Sequence, residues 1–234
     1  MPKKIQRPAI ITAVLLAVFL LFTILAKTVD VQPIGPMNTE VGFAAVNGAI
    51  FKTLGESKFF YILSTIGGLI SLLTAGLFAG IGAYQWYKRH DLMKVDKNIL
   101  AMGGLFLIVI ILYVLFDKVP INYRPVLEDG ALEASYPSTH TLLACVIMGC
   151  ALIECREVVT RKQALQYIEW FCYAVIAITV ISRLLAGVHW FTDIIGGLIL
   201  SAALLFLYYT AVVYFRPEKK KKKKKKTAET ANIN

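Results

Sequence analysis

Between residues 59 and 87 the chain runs for 29 positions without a single charged side chain. A helix of that length is long enough to cross the roughly 30 Å hydrocarbon layer of a bilayer, with room for tilt. Five further apolar runs, at residues 8–26, 98–116, 137–153, 164–182 and 194–215, repeat the pattern, the fifth of the six being interrupted by Glu169. In hydrocarbon every backbone donor and acceptor must be satisfied within the protein, so an unalternating apolar run of this kind becomes a helix. The expected fold is therefore all-α, a polytopic membrane protein of six transmembrane helices. Composition agrees, because 57% of the residues are hydrophobic and 17% charged, against about 45–50% and about 25% in soluble domains.

The first run follows Lys3, Lys4 and Arg7. Its apolar core exceeds that of a secretory signal, so a retained spanning helix is expected. Between the first and second spans, Phe43, Val46, Ile50, Phe51 and Leu54 recur at helical spacing. That pattern predicts a short amphipathic helix, lying in the membrane interface or packed on the bundle. Gly76 and Gly80 have the spacing that lets two helices approach closely. Cys145, Cys150, Cys155 and Cys172 lie in or beside apolar segments, without metal-ligand spacing, and read as buried free thiols. Residues 1–215 form one membrane domain, and residues 216–234 a basic tail.

The formal net charge of +10 rests largely on the lysine run from Lys219 to Lys226. Without it the chain is close to neutral, which argues against nucleic acid as a partner. The run is expected to be a solvated cytoplasmic tail, able to contact anionic lipid heads. With the run set aside, the loops on the N-terminal side still hold 11 Lys and Arg against 6 on the other. The positive-inside rule then places both termini in the cytoplasm. On that orientation two distant polar stretches, 118–140 and 183–193, meet at the outer face.

Those stretches carry chemistry. His189 and Asp193 are four apart, about 40° around a helix, so the carboxylate can orient the imidazole as a nucleophile or base. Arg183, Arg124 and Lys118 are cations suited to phosphate, the arginines through their planar fork. Pro137 suits the first turn of a helix. The backbone N–H groups of Ser138 and Thr139 would then project from the helix end as an anion site, with His140 just beyond. His90, in the basic loop of the opposite face, reads as structural. Glu128, Asp129 and Glu133 read as a solvated loop that could discourage highly anionic soluble substrates. No metal-ligand set is evident, and no cofactor is expected.

The order Arg124-Pro125, then Pro137-Ser138-Thr139-His140, then Ser182-Arg183 with His189 and Asp193 resembles the three signature motifs of the type-2 phosphatidic acid phosphatase superfamily, across about residues 98–215. Two departures stand out. Lys118 is one residue nearer Arg124 than the family spacing, with Asp117 at the usual position, and Thr139 replaces the usual glycine. The resemblance implies six spans and hydrolysis of a lipid phosphate or diphosphate, with undecaprenyl diphosphate, phosphatidic acid and phosphatidylglycerophosphate as candidates. It also implies that His189 attacks phosphorus, Asp193 orients it, and His140 serves the leaving oxygen and then water. Arg124, Arg183, Lys118, Ser138 and Thr139 would bind phosphate, without a metal. A phosphotransferase would use the same residues with another acceptor, and a non-catalytic anion transporter would keep the cations alone.

Overall fold

A computed structural model describes residues 3–128 and 130–216. The lysine run and Asp129 lie outside the described residues. Among the described residues seven α-helices follow in order: α1 (Lys3–Thr28), α2 (Ala44–Leu54), α3 (Lys58–Arg89), α4 (Lys97–Lys118), α5 (Thr139–Val158), α6 (Lys162–Leu185) and α7 (Phe191–Phe215). Each predicted span has its helix, extended by a few residues at one or both ends.

Five of the seven, α1, α3, α4, α6 and α7, are long and apolar enough to cross a membrane. The expectation of six is met in part, because α5 is not among them. Its last turns carry Glu154, Arg156 and Glu157, and most of its side chains are buried against other helices. A central helix is screened by its neighbours, so it tolerates polar residues that a lipid-facing helix does not. The outer helices show the reverse, with Leu73 66% and Ile111 65% exposed. Apolar faces of this extent belong in hydrocarbon, and the chain is a multi-pass membrane protein.

The bundle is built around α5 and α7. Helix α1 lies along α7, α6 packs against both α3 and α5, and α4 against α7. Phe19 of α1 stacks on Tyr136 at 6.1 Å, and Thr23 hydrogen-bonds the Tyr136 hydroxyl at 2.8 Å, tying the first helix to the entrance of α5. At the opposite end Glu154 is buried against the Tyr208 hydroxyl at 3.3 Å. His90 caps α3 at this end with φ 50°, far from the cluster described below.

The predicted amphipathic segment forms α2. Phe43 is not part of it, being the left-handed residue before the first turn (φ 51°). Helix α2 rests on the start of α7, where Asn47 donates to the Thr192 hydroxyl at 2.9 Å and Phe51 meets the Trp190 ring at 5.6 Å. Gly76 and Gly80 do not mark a close helix approach, since a Cβ at either would meet nothing within 4 Å. The four cysteines are free, and Cys145, Cys150 and Cys172 are buried.

Candidate active site

The start of α5, the end of α6 and the start of α7 meet at one end of the bundle. The turn that joins α6 to α7 is tight, and Gly187 makes it possible with φ +70°. A side chain there would be strained, and its Cβ would sit 2.5 Å from the Gly55 carbonyl oxygen. The turn returns the chain so that Arg183, His189 and Asp193 converge, all at most 3% exposed.

His189 lies in this turn, two residues before α7, so the pair is not two positions on one helical face as the spacing suggested. Asp193 is in the first turn of α7 and reaches back. Its Oδ2 accepts from the Trp190 backbone N–H at 2.9 Å and lies 3.8 Å from His189 Nδ1. Its Oδ1 accepts from Asn122 Nδ2 at 3.2 Å. The carboxylate is thus fixed by two donors and faces the imidazole. Burial, and then the charges of Arg183 and Arg124, hold the His189 pKa well below the usual range, leaving the ring neutral.

Arg183, in the last turn of α6, donates from Nη2 to His140 Nδ1 at 2.7 Å and from Nη1 toward Ser64 Oγ at 3.4 Å. Its guanidinium also lies 5.4 Å from the centroid of the Tyr61 ring. A guanidinium has no acceptor, so His140 Nδ1 is the acceptor here and carries no proton. The back of the His140 ring rests on α3, where a Cβ on Gly68 would come within 3.0 Å of Cδ2.

The second motif differs from its expected geometry. The helix begins at Thr139, so Pro137 precedes it rather than occupying its first turn, and the Tyr136–Pro137 bond is cis. The Ser138 backbone N–H is not free for an anion, because it donates to the Asp193 carbonyl oxygen at 3.0 Å. The loop before α5 needs an anchor on α7, and this bond supplies it. Ser138 Oγ is buried and has no partner among the described residues, so the hydroxyl is the donor this residue keeps in reserve. Thr139 lines the cavity beside His140.

Arg124 sits in the loop between α4 and α5, which doubles back through bridges pairing Tyr123 with Ala134 and Glu128 with Ala131. The guanidinium is 12% exposed and forms ion pairs with Glu128 and, at 3.0 Å, with Glu133. Glu128, at 27% exposed, is therefore drawn into the site rather than left in a solvated loop, while Glu133, 45% exposed, pairs with Arg124 and still faces solvent. Lys118 is not gathered into the cluster. It ends α4 with its side chain 76% exposed and paired with Asp117 at 3.2 Å. One residue of shift in a helix is about 100°, enough to turn the ammonium away and bring Asp117 to the cavity wall.

Tyr61, Ser64, Gly68 and Asn122 also build this site, and sequence reading missed them. The first three are hidden in an apolar span, at the i, i+3 and i+7 positions of one face. Asn122 stands two residues before Arg124 with no motif to mark it.

A cavity of about 700 Å³ opens from the cluster between α3, α4 and α5. Arg124, Glu133 and His140 line its polar end, and Leu69, Leu72, Tyr113, Phe116 and Leu143 its walls. Among the described residues no group of three His, Cys, Asp or Glu side chains is placed to hold a metal ion.

Residues 115–217 match the sequence model of the PAP2 superfamily, a stretch that carries all three motifs. No curated protein matches the chain. The fold is similar to the crystal structure of the first transmembrane PAP2 type phosphatidylglycerolphosphate phosphatase from Bacillus subtilis, with a TM-score of 0.64 at 19% identity. The alignment covers 89% of this chain and 98% of that one. At this identity the likeness establishes a shared fold.

Proposed function

We propose that this protein is a membrane lipid phosphatase that hydrolyses a lipid phosphate or diphosphate through a phosphohistidine. The observation that carries the reading is the gathering of buried Arg183 and His189 with the half-buried His140 in one cluster, beside a 700 Å³ cavity with apolar helical walls. A phosphorylated head group suits the cations, and the chain it carries suits the walls.

In this mechanism the neutral His189 attacks phosphorus through Nε2 while its Nδ1–H turns to Asp193, closing their 3.8 Å separation. The bond from phosphorus to the lipid oxygen breaks. A bound phosphoryl group takes the N–H that Arg183 now gives to His140, and the released Nδ1 accepts a proton from solvent, which the second half of the cycle replaces from the attacking water. His140 can then protonate the departing oxygen. In the second half it takes a proton from water, whose oxygen attacks phosphorus and breaks the P–N bond, releasing inorganic phosphate. Arg124 and Arg183 stabilise charge on the equatorial oxygens throughout. No step requires a metal.

The PAP2 match and the named activity of the Bacillus subtilis neighbour support the class. Among substrates, undecaprenyl diphosphate, phosphatidic acid and phosphatidylglycerophosphate all fit the chemistry. The distribution of Lys and Arg supports an outward-facing site with both termini in the cytoplasm, α5 as the sixth span and α2 at the interface above the site. Tail contact with anionic lipids is part of the same reading.

The test is phosphate release from the three lipids by the purified protein in detergent. Release is expected for at least one, with labelled phosphate trapped on wild-type protein and absent from His189→Ala. Full turnover by His189→Ala would overturn the proposed nucleophile, and transfer of label to an alcohol in preference to water would favour a phosphotransferase.

A further inference from the structure

The carboxylates on Arg124 contend for the same guanidinium edges that a phosphate would use. Glu128 pairs with Arg124 and also accepts from the Tyr61 hydroxyl at 2.7 Å, and it is the Tyr61 ring that lies beside the Arg183 guanidinium. Glu133 takes the other Arg124 nitrogen at 3.0 Å and itself lines the cavity. One cation thus faces two anions, and the pairing is shielded on the Arg124 side, which is 12% exposed. The arrangement is built into the backbone, because Arg124 N–H donates to the Glu133 carbonyl at 3.0 Å and the Glu128–Ala131 bridge turns Glu128 back over the site.

A phosphoryl dianion cannot occupy both edges of Arg124 while these carboxylates hold them, and like charges at such range repel. Something must offset their displacement. For a lipid, anchoring in the same hydrocarbon layer as the bundle offsets it, because the chain holds the head group at the cavity mouth at a high effective concentration. Free phosphate brings no chain. We infer that Glu128 and Glu133 are specificity-determining residues, internal competitors for Arg124 that a lipid phosphate displaces and a tailless phosphate does not. The same competition expels the inorganic phosphate formed at the end of each turnover. This role rests on the lipid phosphatase reading and adds to it a reason for selecting lipids over soluble esters.

The decisive measurement is titration of the full-length protein in detergent with inorganic phosphate, for wild type, Glu128→Gln and Glu133→Gln. Each variant keeps the side-chain shape and removes one charge. Phosphate is expected to bind Glu128→Gln about tenfold more tightly than wild type, the size of one lost charge-assisted competitor, and Glu133→Gln by a few-fold. The kcat/KM ratio of dihexanoyl to dioleoyl phosphatidic acid should rise in both, through KM for the short chain. Unchanged or weaker phosphate binding in a folded Glu128→Gln, judged by its thermal midpoint without phosphate, overturns the inference. If that variant does not fold, Glu133→Gln, whose side chain is 45% exposed, decides alone by the same criterion. Absence of hydrolysis of every lipid by wild type would instead sink the phosphatase reading, and the phosphate titration would still judge the carboxylates.

Discussion

Arg183 Nη2 stands 2.7 Å from His140 Nδ1, joining the last turn of α6 to the first turn of α5 across 43 residues of chain. The contact fixes the imidazole ring and its tautomer, and it occupies the donor that a phosphate would later claim. One guanidinium therefore links anion binding to the protonation of His140.

Arg183→Lys tests that linkage. An ammonium is a point donor and cannot reach His140 and a phosphate as a planar fork does. Phosphate release is expected to fall about 100-fold or more, mainly in kcat. An ordinary KM effect with kcat preserved would mean that Arg183 serves binding alone.

Gly68→Ala separates activity from stability. Its Cβ would lie 3.0 Å from His140 Cδ2, so the ring must shift by a few tenths of an ångström. Alanine meanwhile gains up to about 1 kcal/mol of helix propensity in α3. The variant is expected to lose about tenfold in kcat with a thermal midpoint equal to or above wild type.

Lys118→Ala is expected to change kcat/KM less than about twofold, because the side chain is 76% exposed and an exposed ion pair contributes little. Arg124→Ala, which removes a cation from within the cluster, should lose about 100-fold. Comparable losses in the two variants, measured on the same lipid, would restore Lys118 to the phosphate site.

His189 sets a dependence of stability on pH. Its folded pKa lies well below the usual value, so the folded protein excludes a proton that the unfolded chain accepts below about pH 6.5. Stability should therefore be unaffected above that pH and fall as the pH drops through it, by up to about 1.4 kcal/mol per pH unit. Thermal midpoints between pH 7.5 and 5 in detergent measure this. The decline should be shallower in His189→Gln, whose side chain cannot take up the proton.

Hydropathy runs mark each long helix to within a few residues, and the three motifs mark His140, Arg183, His189 and Asp193. Those features are local or carried by residue identity. Hydrocarbon solvent imposes helix on an apolar run, and the rarity of buried charge singles out an arginine, a histidine or an aspartate between two such runs.

Partnership was a different matter. Linear spacing gave no sign that Glu128 and Glu133 would close on Arg124, that Ser138 would give its N–H to Asp193, or that Tyr61, Ser64 and Gly68 would form a floor beneath His140 and Arg183. Nor did it reveal that Lys118 would face away or that α5 would be so fully enclosed. Each depends on how one helix is rotated against another and where a loop folds back. These are settled by side-chain packing summed over the whole bundle, in which one residue of shift turns a helical side chain by about 100°. The amino-acid order alone determined which segments become apolar helices and marked the histidines, arginines and aspartate of the candidate site; the packed helices decided which of those groups touch, and which unmarked residues join them.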